Sequence, residues 1–315
     1  MNNNFFDYFK SNKKYQNVIE TIKNNSSTYI YNSAINPSKL ISLSLFQQIK
    51  KTIVLVFPNI YEATIAYEDY LEQTEADQIG FFPVEELVAS ELIASSNNYR
   101  LERIKTIFNI INNVPQIIIT TPEGITKNLI NKQRIKESIL KIKVNDTLKR
   151  DELINNLIIR GYQKVSFVEN QGTYSIRGSV VDIYAINMDS PIRIDFFDNE
   201  VDEIKLFSVD TQRSINKINE VQIYPFYETI YEDSEIPDIC KRINEHLELS
   251  DDIEKAILNI ENHTNLDQMY LYLPYIDPTY QPFVDLIEDK CLIFFNLNKI
   301  LEKEQQNNSE LYEYI

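Results

Sequence analysis

The sequence predicts an α/β fold built on a parallel sheet, with an inserted α+β antiparallel-sheet domain and an acidic, mostly helical C-terminal segment. Three observations lead there. Continuous apolar runs alternate with helical repeats in the first third. Short alternating strands separated by turn residues fill the middle. Acidic residues at helical spacing dominate the end.

The elements follow in order. Residues 1–24 read as an amphipathic helix with Phe5, Phe9, Tyr15, Val18 and Ile22 on its apolar side, and "STYIYNSA" as a short strand. Pro37 and Ser38 open a helix over "PSKLISLSLFQQIKK". "TIVLVFP" is apolar without alternation, the mark of a parallel strand buried on both faces, and "QIGFFP" and "QIIITTPE" read alike. Helices are expected between them: "NIYEATIAYEDYLEQ", capped by Asn59, then "VEELVASELIASSNN" and "YRLERIKTIFNIINN". These make a first domain over 1–138.

A second domain is expected over 139–222. "KRDELINNLIIRGY" is one helix ending near Gly161, and "KVSFVE", "GTYSIRG", "SVVDIYAI", "PIRIDFFD", "EVDEIKLFSVD" and "INEVQIYP" read as strands. Asp198–Glu200 suits a hairpin turn. In the third part, 223–315, "DICKRINEHLELSDDIEKAILNIEN" has helical spacing, while "MYLYLPYI" and "DKCLIFF" read as strands.

Composition narrows the chemistry. The 315 residues carry a net charge of −16, and residues 223–315 hold 20 acidic side chains against 6 basic ones. That segment repels phosphate backbones and is a poor nucleic-acid binder by itself. Cys240 and Cys291 lack metal spacing and are expected to be buried, reduced thiols; His246 and His263 are expected on the surface. No apolar run approaches the ~18 residues that span a bilayer, and the N-terminus lacks a secretory core, so a cytoplasmic protein is expected.

Nucleotide hydrolysis is not expected. A phosphate loop needs glycines to bring backbone N–H groups to phosphate oxygens, a lysine for the outer phosphates and a hydroxyl for magnesium. The segment in that position, "YIYNSAINPSKLISL", has no glycine, and Lys39 is followed by Leu40. No catalytic, cofactor-binding or metal-binding residue is assigned.

"PIRIDFFDNEVDEI" poses the sharper question. As a strand it points Ile192, Ile194 and Phe196 one way and Arg193, Asp195 and Phe197 the other. The second face is polar apart from one phenylalanine. Arg193 and Phe197 share that face about 13 Å apart. In "TYSIRG", Tyr174 and Ile176 point inward and Arg177 outward, so two guanidinium groups and a ring meet if those strands are neighbours. Such a mixture suits a protein–protein contact. The competing arrangement tucks Phe197 under the helix "DELINNLIIRGY" and pairs Arg193 with Asp195 or Glu203.

The stretches "FFPVEELVASELIASSNNYRLERI", "IIITTPEGI", "RGSVVDIY", "RIDFFDNEVDEI", "FSVDTQRS" and "VQIYPFYE" together resemble the N-terminal part of the bacterial transcription-repair coupling factor family, Mfd, which is itself similar to the excision-repair helicase UvrB. The resemblance implies a degenerate P-loop-helicase-like first domain, an inserted UvrA-binding domain and a UvrB-like accessory segment. It implies UvrA-contacting positions at Arg177, Arg193 and Phe197, with Ser175 where UvrB has a further arginine. It also implies a non-catalytic adaptor that recruits nucleotide excision repair to stalled RNA polymerase. In that family an ATP-driven translocase on double-stranded DNA and an RNA-polymerase-binding domain lie further along, so the chain is expected to be a fragment. The UvrA-binding face is expected to be covered in the intact protein until the motor engages DNA. The alternative is a UvrB-like, ATP-dependent damage-binding enzyme, which thermal stabilisation by ATP and magnesium would reveal.

Overall fold

The computed structural model describes residues 12–24, 28, 35–49, 51–84 and 97–313. Among them are fourteen strands, numbered β1 to β14 along the chain. The chain divides into two compact units of separate stretches: residues 1–88, 106–126 and 287–315 make one, and residues 89–105 and 127–286 the other.

The first unit holds a parallel sheet in the order β14-β1-β3-β2, from β1 (Thr52–Val56), β2 (Ile79–Phe82), β3 (Ile117–Thr120) and β14 (Lys290–Phe294). Every residue of β1, β2 and β3 is buried, which is why these runs are apolar rather than alternating. Helices α1 (Lys13–Asn24), α2 (Ile35–Ile49) and α3 (Ile60–Leu71) belong to the same unit. Asn59 caps α3, accepting from the Glu62 backbone N–H at 2.8 Å. Helix α2 starts two residues before the expected Pro37, leaving the proline in its first turn, where a missing N–H costs nothing. "DKCLIFF" is a strand as expected, but it pairs with β1 in the first unit's sheet. The expected strand "STYIYNSA" apart from Thr28, most of the helix "VEELVASELIASSNN" and residues 1–11 of the N-terminal helix lie outside the described residues, as does 29–34 of the glycine-free segment.

The second unit is built on a six-stranded sheet in the order β11-β10-β9-β8-β7-β6. Its strands are β6 (Gln163–Lys164), β7 (Thr173–Arg177), β8 (Val180–Tyr184), β9 (Ile192–Phe197), β10 (Glu200–Phe207) and β11 (Ser214–Ile218). All pairs are antiparallel except β6 with β7. One face packs Tyr174, Val181, Ile183, Ile192, Ile194, Phe196 and Ile204 against Leu153 and Leu157 of helix α5 (Arg150–Ile159); helix α4 (Asn97–Ile111) comes earlier in the chain. Gly161 ends α5 at φ +80, with the Tyr227 ring 2.2 Å from where a Cβ would sit, so only glycine fits. "KVSFVE" is not the expected strand beyond Gln163–Lys164: pairing stops there and the chain turns through 165–172. The segment expected as the strand "INEVQIYP" contains β12 (Glu220–Ile223), which pairs with β5 (Leu140–Lys143) apart from the main sheet.

The acidic part of this unit folds around Tyr231, Ile239, Ile243, Ile260, Leu266, Met269 and Ile276. It contains α6 (Ile236–His246) and α7 (Asp251–Glu261). "MYLYLPYI" was expected as a strand, yet Leu266–Tyr272 is a 3-10 turn leading into a short helix, Leu273–Ile276. Met269, Leu273 and Ile276 are buried while Tyr270 and Leu271 stay exposed, a helical spacing that the tyrosines disguise. His263, expected on the surface, has a side chain only 6% exposed, stacked on Tyr231 at 4.8 Å and bonded through Nε2 to Asp233 at 2.7 Å. Cys240 and Cys291 are free and half-buried rather than buried, and burial raises both thiol pKa values. Among the described residues no helix is long and apolar enough to cross a membrane, and no cluster of three His, Cys, Asp or Glu could hold a metal ion.

Candidate partner-binding face

The face of the six-stranded sheet opposite α5 carries all three residues singled out from the sequence. Register sets the layout. Ser175 on β7 lies opposite Asp182 on β8, which lies opposite Arg193 on β9. One step along, Arg177 lies opposite Val180, which lies opposite Asp195. Phe197 is two residues further on β9 and so keeps the same side.

Phe197 is 76% exposed. It is not tucked under α5, because the inward position next to it belongs to Phe196, which is buried. The backbone around the ring is braced. Asp198 takes the left-handed conformation at φ 57 to turn β9 into β10. The turn is held by Leu148 N–H donating to the Asn199 carbonyl at 2.9 Å, and Phe196 N–H donates to the Ser179 carbonyl at 3.1 Å. Arg150 Nη1 donates to the Gly178 carbonyl at 2.8 Å, fixing the neighbouring β7–β8 turn to the start of α5.

The strands of the two arginines are not neighbours, the condition on which their meeting was expected, yet the arginines still come together. The tight Gly178–Ser179 turn folds β8 back between them. That strand supplies Asp182, whose side chain is 1% exposed. Arg193 grips it with two donors, Nε to Oδ1 at 2.6 Å and Nη2 to Oδ2 at 2.9 Å, and Arg177 Nη2 also donates to Oδ2. Neither Asp195 nor Glu203 is the partner of Arg193. A carboxylate this buried requires compensation, and two guanidinium groups provide it. Its hydrogen bond raises the Arg193 pKa above the ordinary value.

The arginines differ in what they leave over. Arg193 is 19% exposed, spends its Nε–Nη2 edge on Asp182, and stacks 4.7 Å above the buried Phe207 ring. Arg177 is 46% exposed, commits one Nη, and lies 5.9 Å over the ring of Phe167, itself 60% exposed. Ser175 is 2% exposed and its hydroxyl has no hydrogen-bond partner among the described residues.

Beyond this cluster four charges of the face neutralise one another, while Glu200 stands opposite Phe197 across the hairpin. Lys205 binds Asp195 at 3.2 Å and also Glu203, and Lys217 binds Glu203, an ion-pair ladder across β9, β10 and β11. Sequence reasoning missed Asp182 and Phe167. Alternation does place Asp182 outward between Val181 and Ile183, but its bridging role depends on which strand lies in the middle.

Residues 140–228 match the UvrB interaction domain family, a stretch that contains the entire face just described. Three curated transcription-repair-coupling factors show the wider likeness. That of Bacillus subtilis (strain 168) is 29% identical over 288 residues, 86% of this chain and 24% of that protein. That of Staphylococcus haemolyticus (strain JCSC1435) is 24% identical over 329 residues, 98% of this chain and 28% of that protein. That of Staphylococcus epidermidis (strain ATCC 12228 / FDA PCI 1200) is 27% identical over 256 residues, 80% and 22% respectively. The chain resembles an N-terminal region of the transcription-repair coupling factor. It spans about a quarter of the length of these relatives.

Proposed function

We propose that this chain is the UvrB-like adaptor region of a transcription-repair coupling factor, which binds UvrA and thereby brings nucleotide excision repair to a stalled RNA polymerase. In this reading residues 139–222 are the docking domain, 1–138 a motor-like domain without a working nucleotide site whose sheet takes in Lys290–Phe294, and the rest of 223–315 an accessory segment. RNA polymerase, double-stranded DNA and the ATP-driven step belong to the longer protein. The observation that supports this most is the exposed Phe197 ring beside the arginine pair, on the outward face of the stretch that matches the UvrB interaction domain.

The chemistry divides between the residues. Phe197 supplies apolar area; burying it in a partner contributes on the order of 2 kcal/mol. Arg177 keeps donors and exposure for a partner carboxylate. Arg193, with its best edge committed to Asp182, fixes that carboxylate and through it the orientation of Arg177. The test is titration of UvrA against the wild-type chain and Arg177→Ala, Arg193→Ala and Phe197→Ala, with a thermal melt of each. Weakened binding by Arg177→Ala and Phe197→Ala at unchanged melting temperature is expected; wild-type affinity in all three variants would remove the assignment.

A further inference from the structure

We propose that Phe167 is a further contact residue of this face, so that the partner meets an aromatic–cation–aromatic surface of Phe167, Arg177 and Phe197 and answers it with a carboxylate flanked by apolar side chains. The inference rests on the docking reading above and extends it to a loop which that reading does not use.

Residues 165–172 connect β6 to β7 and form a pinned loop. Val165 N–H donates to the Tyr174 carbonyl at 2.8 Å, and Gly172 N–H to the Tyr184 carbonyl at 2.8 Å. Gln171 Nε2 donates to the Met188 carbonyl at 2.9 Å, and Thr173 Oγ1 to the Asn170 carbonyl at 2.6 Å. Val168 is 1% exposed and anchors the middle of the loop in the core. Between these fixed points Phe167 is held outward, 60% exposed.

Its neighbour is the guanidinium of Arg177, 5.9 Å from the ring centroid. The ring, like Asp182, gives the guanidinium a fixed neighbour and so limits the rotamers open to its remaining donors. Phe197 stands across the Gly178–Ser179 turn from Arg177. Two arginines share one buried aspartate, so these three groups together carry a net charge of +1, held at the Arg177 end of the face, while the acidic Glu200 stands at the far end opposite Phe197. In the adjoining Asp195–Lys205–Glu203–Lys217 ladder both lysines are already paired with carboxylates. Charge complementarity thus calls for a single carboxylate, and the rings on either side call for apolar neighbours to it.

The test is a titration of UvrA with the 315-residue chain and its Phe167→Ala, Phe197→Ala and Arg177→Ala variants at two salt concentrations, with thermal melts and sedimentation of each. Phe167→Ala is expected to weaken binding about tenfold with the melting temperature unchanged, because the ring touches little of its own fold. Wild-type binding is expected to weaken with salt, and that dependence to shrink in Arg177→Ala. Full affinity in Phe167→Ala beside a loss in Phe197→Ala overturns the inference and leaves the docking reading standing. Full affinity in every variant overturns both. Unchanged salt dependence in Arg177→Ala overturns the carboxylate. Loss of self-association in Phe167→Ala with UvrA affinity intact assigns the ring to a second copy and overturns the proposal.

Discussion

Glu228 and Asp182, two carboxylates of the second unit that are each held by two cations, differ in an instructive way. Glu228 is bound by Arg103, through Nε and through Nη2 at 3.4 Å, and by Lys127 at 3.9 Å; all three side chains are largely buried. Asp182 is bound by Arg193 and Arg177, but Arg177 is nearly half exposed and lies 5.9 Å over the ring of Phe167. The charge count is the same, yet the first cluster has its donors turned inward and the second keeps some facing water. A buried charge group of the first kind ties α4 to the chain near Phe226. One of the second kind both holds the fold and leaves a cation available to a partner.

The largest expected effect lies in the inward cluster. Glu228→Gln leaves Arg103 and Lys127 buried without their anion and should cost about 3–5 kcal/mol in urea unfolding. Next comes Arg193→Ala, which removes two of the three bonds to a fully buried Asp182 and should cost about 3 kcal/mol. Arg177→Ala, which removes only the third, should cost under about 1 kcal/mol because water reaches the site. Stability that falls equally in these two arginine variants would erase the division of labour proposed for them.

Acid should act on the inward cluster as well. Burial pushes the Glu228 carboxyl up, but Arg103, Lys127 and Arg100 outweigh it and hold its pKa below the ordinary value. The folded pKa is therefore below the unfolded one, near 4.3. The stabilisation is fully present above that value and is lost as pH falls through the folded pKa. Thermal midpoints measured between about pH 6 and 3 should drop more steeply in wild type than in Glu228→Gln. The smallest expected effect is Phe197→Ala on stability, within about 0.5 kcal/mol, since the ring is mostly in water.

Much of this was legible in the sequence. The buried parallel strands announced themselves as apolar runs, Asn59 as a cap, and Phe197 as an outward residue by simple alternation. What escaped notice depends on long-range pairing. Asp182 sits between the arginines only because the Gly178–Ser179 turn inserts β8 between β7 and β9, and local pattern does not set sheet order. Phe167 was hidden in a stretch that alternates like a strand but leaves the ladder after Lys164. Tyr270 and Leu271 masked a helical spacing in "MYLYLPYI". His263 lost its surface position to stacking on Tyr231, a contact between residues far apart in the chain.

The most direct measurement is the affinity of UvrA for Phe197→Ala relative to wild type, with both proteins shown by melting to be equally folded. A loss of about tenfold or more is the result expected of an exposed ring that a partner buries. Equal affinity at equal stability would mean that this ring faces water in the complex as well, and that UvrA docks elsewhere if it docks on this chain at all.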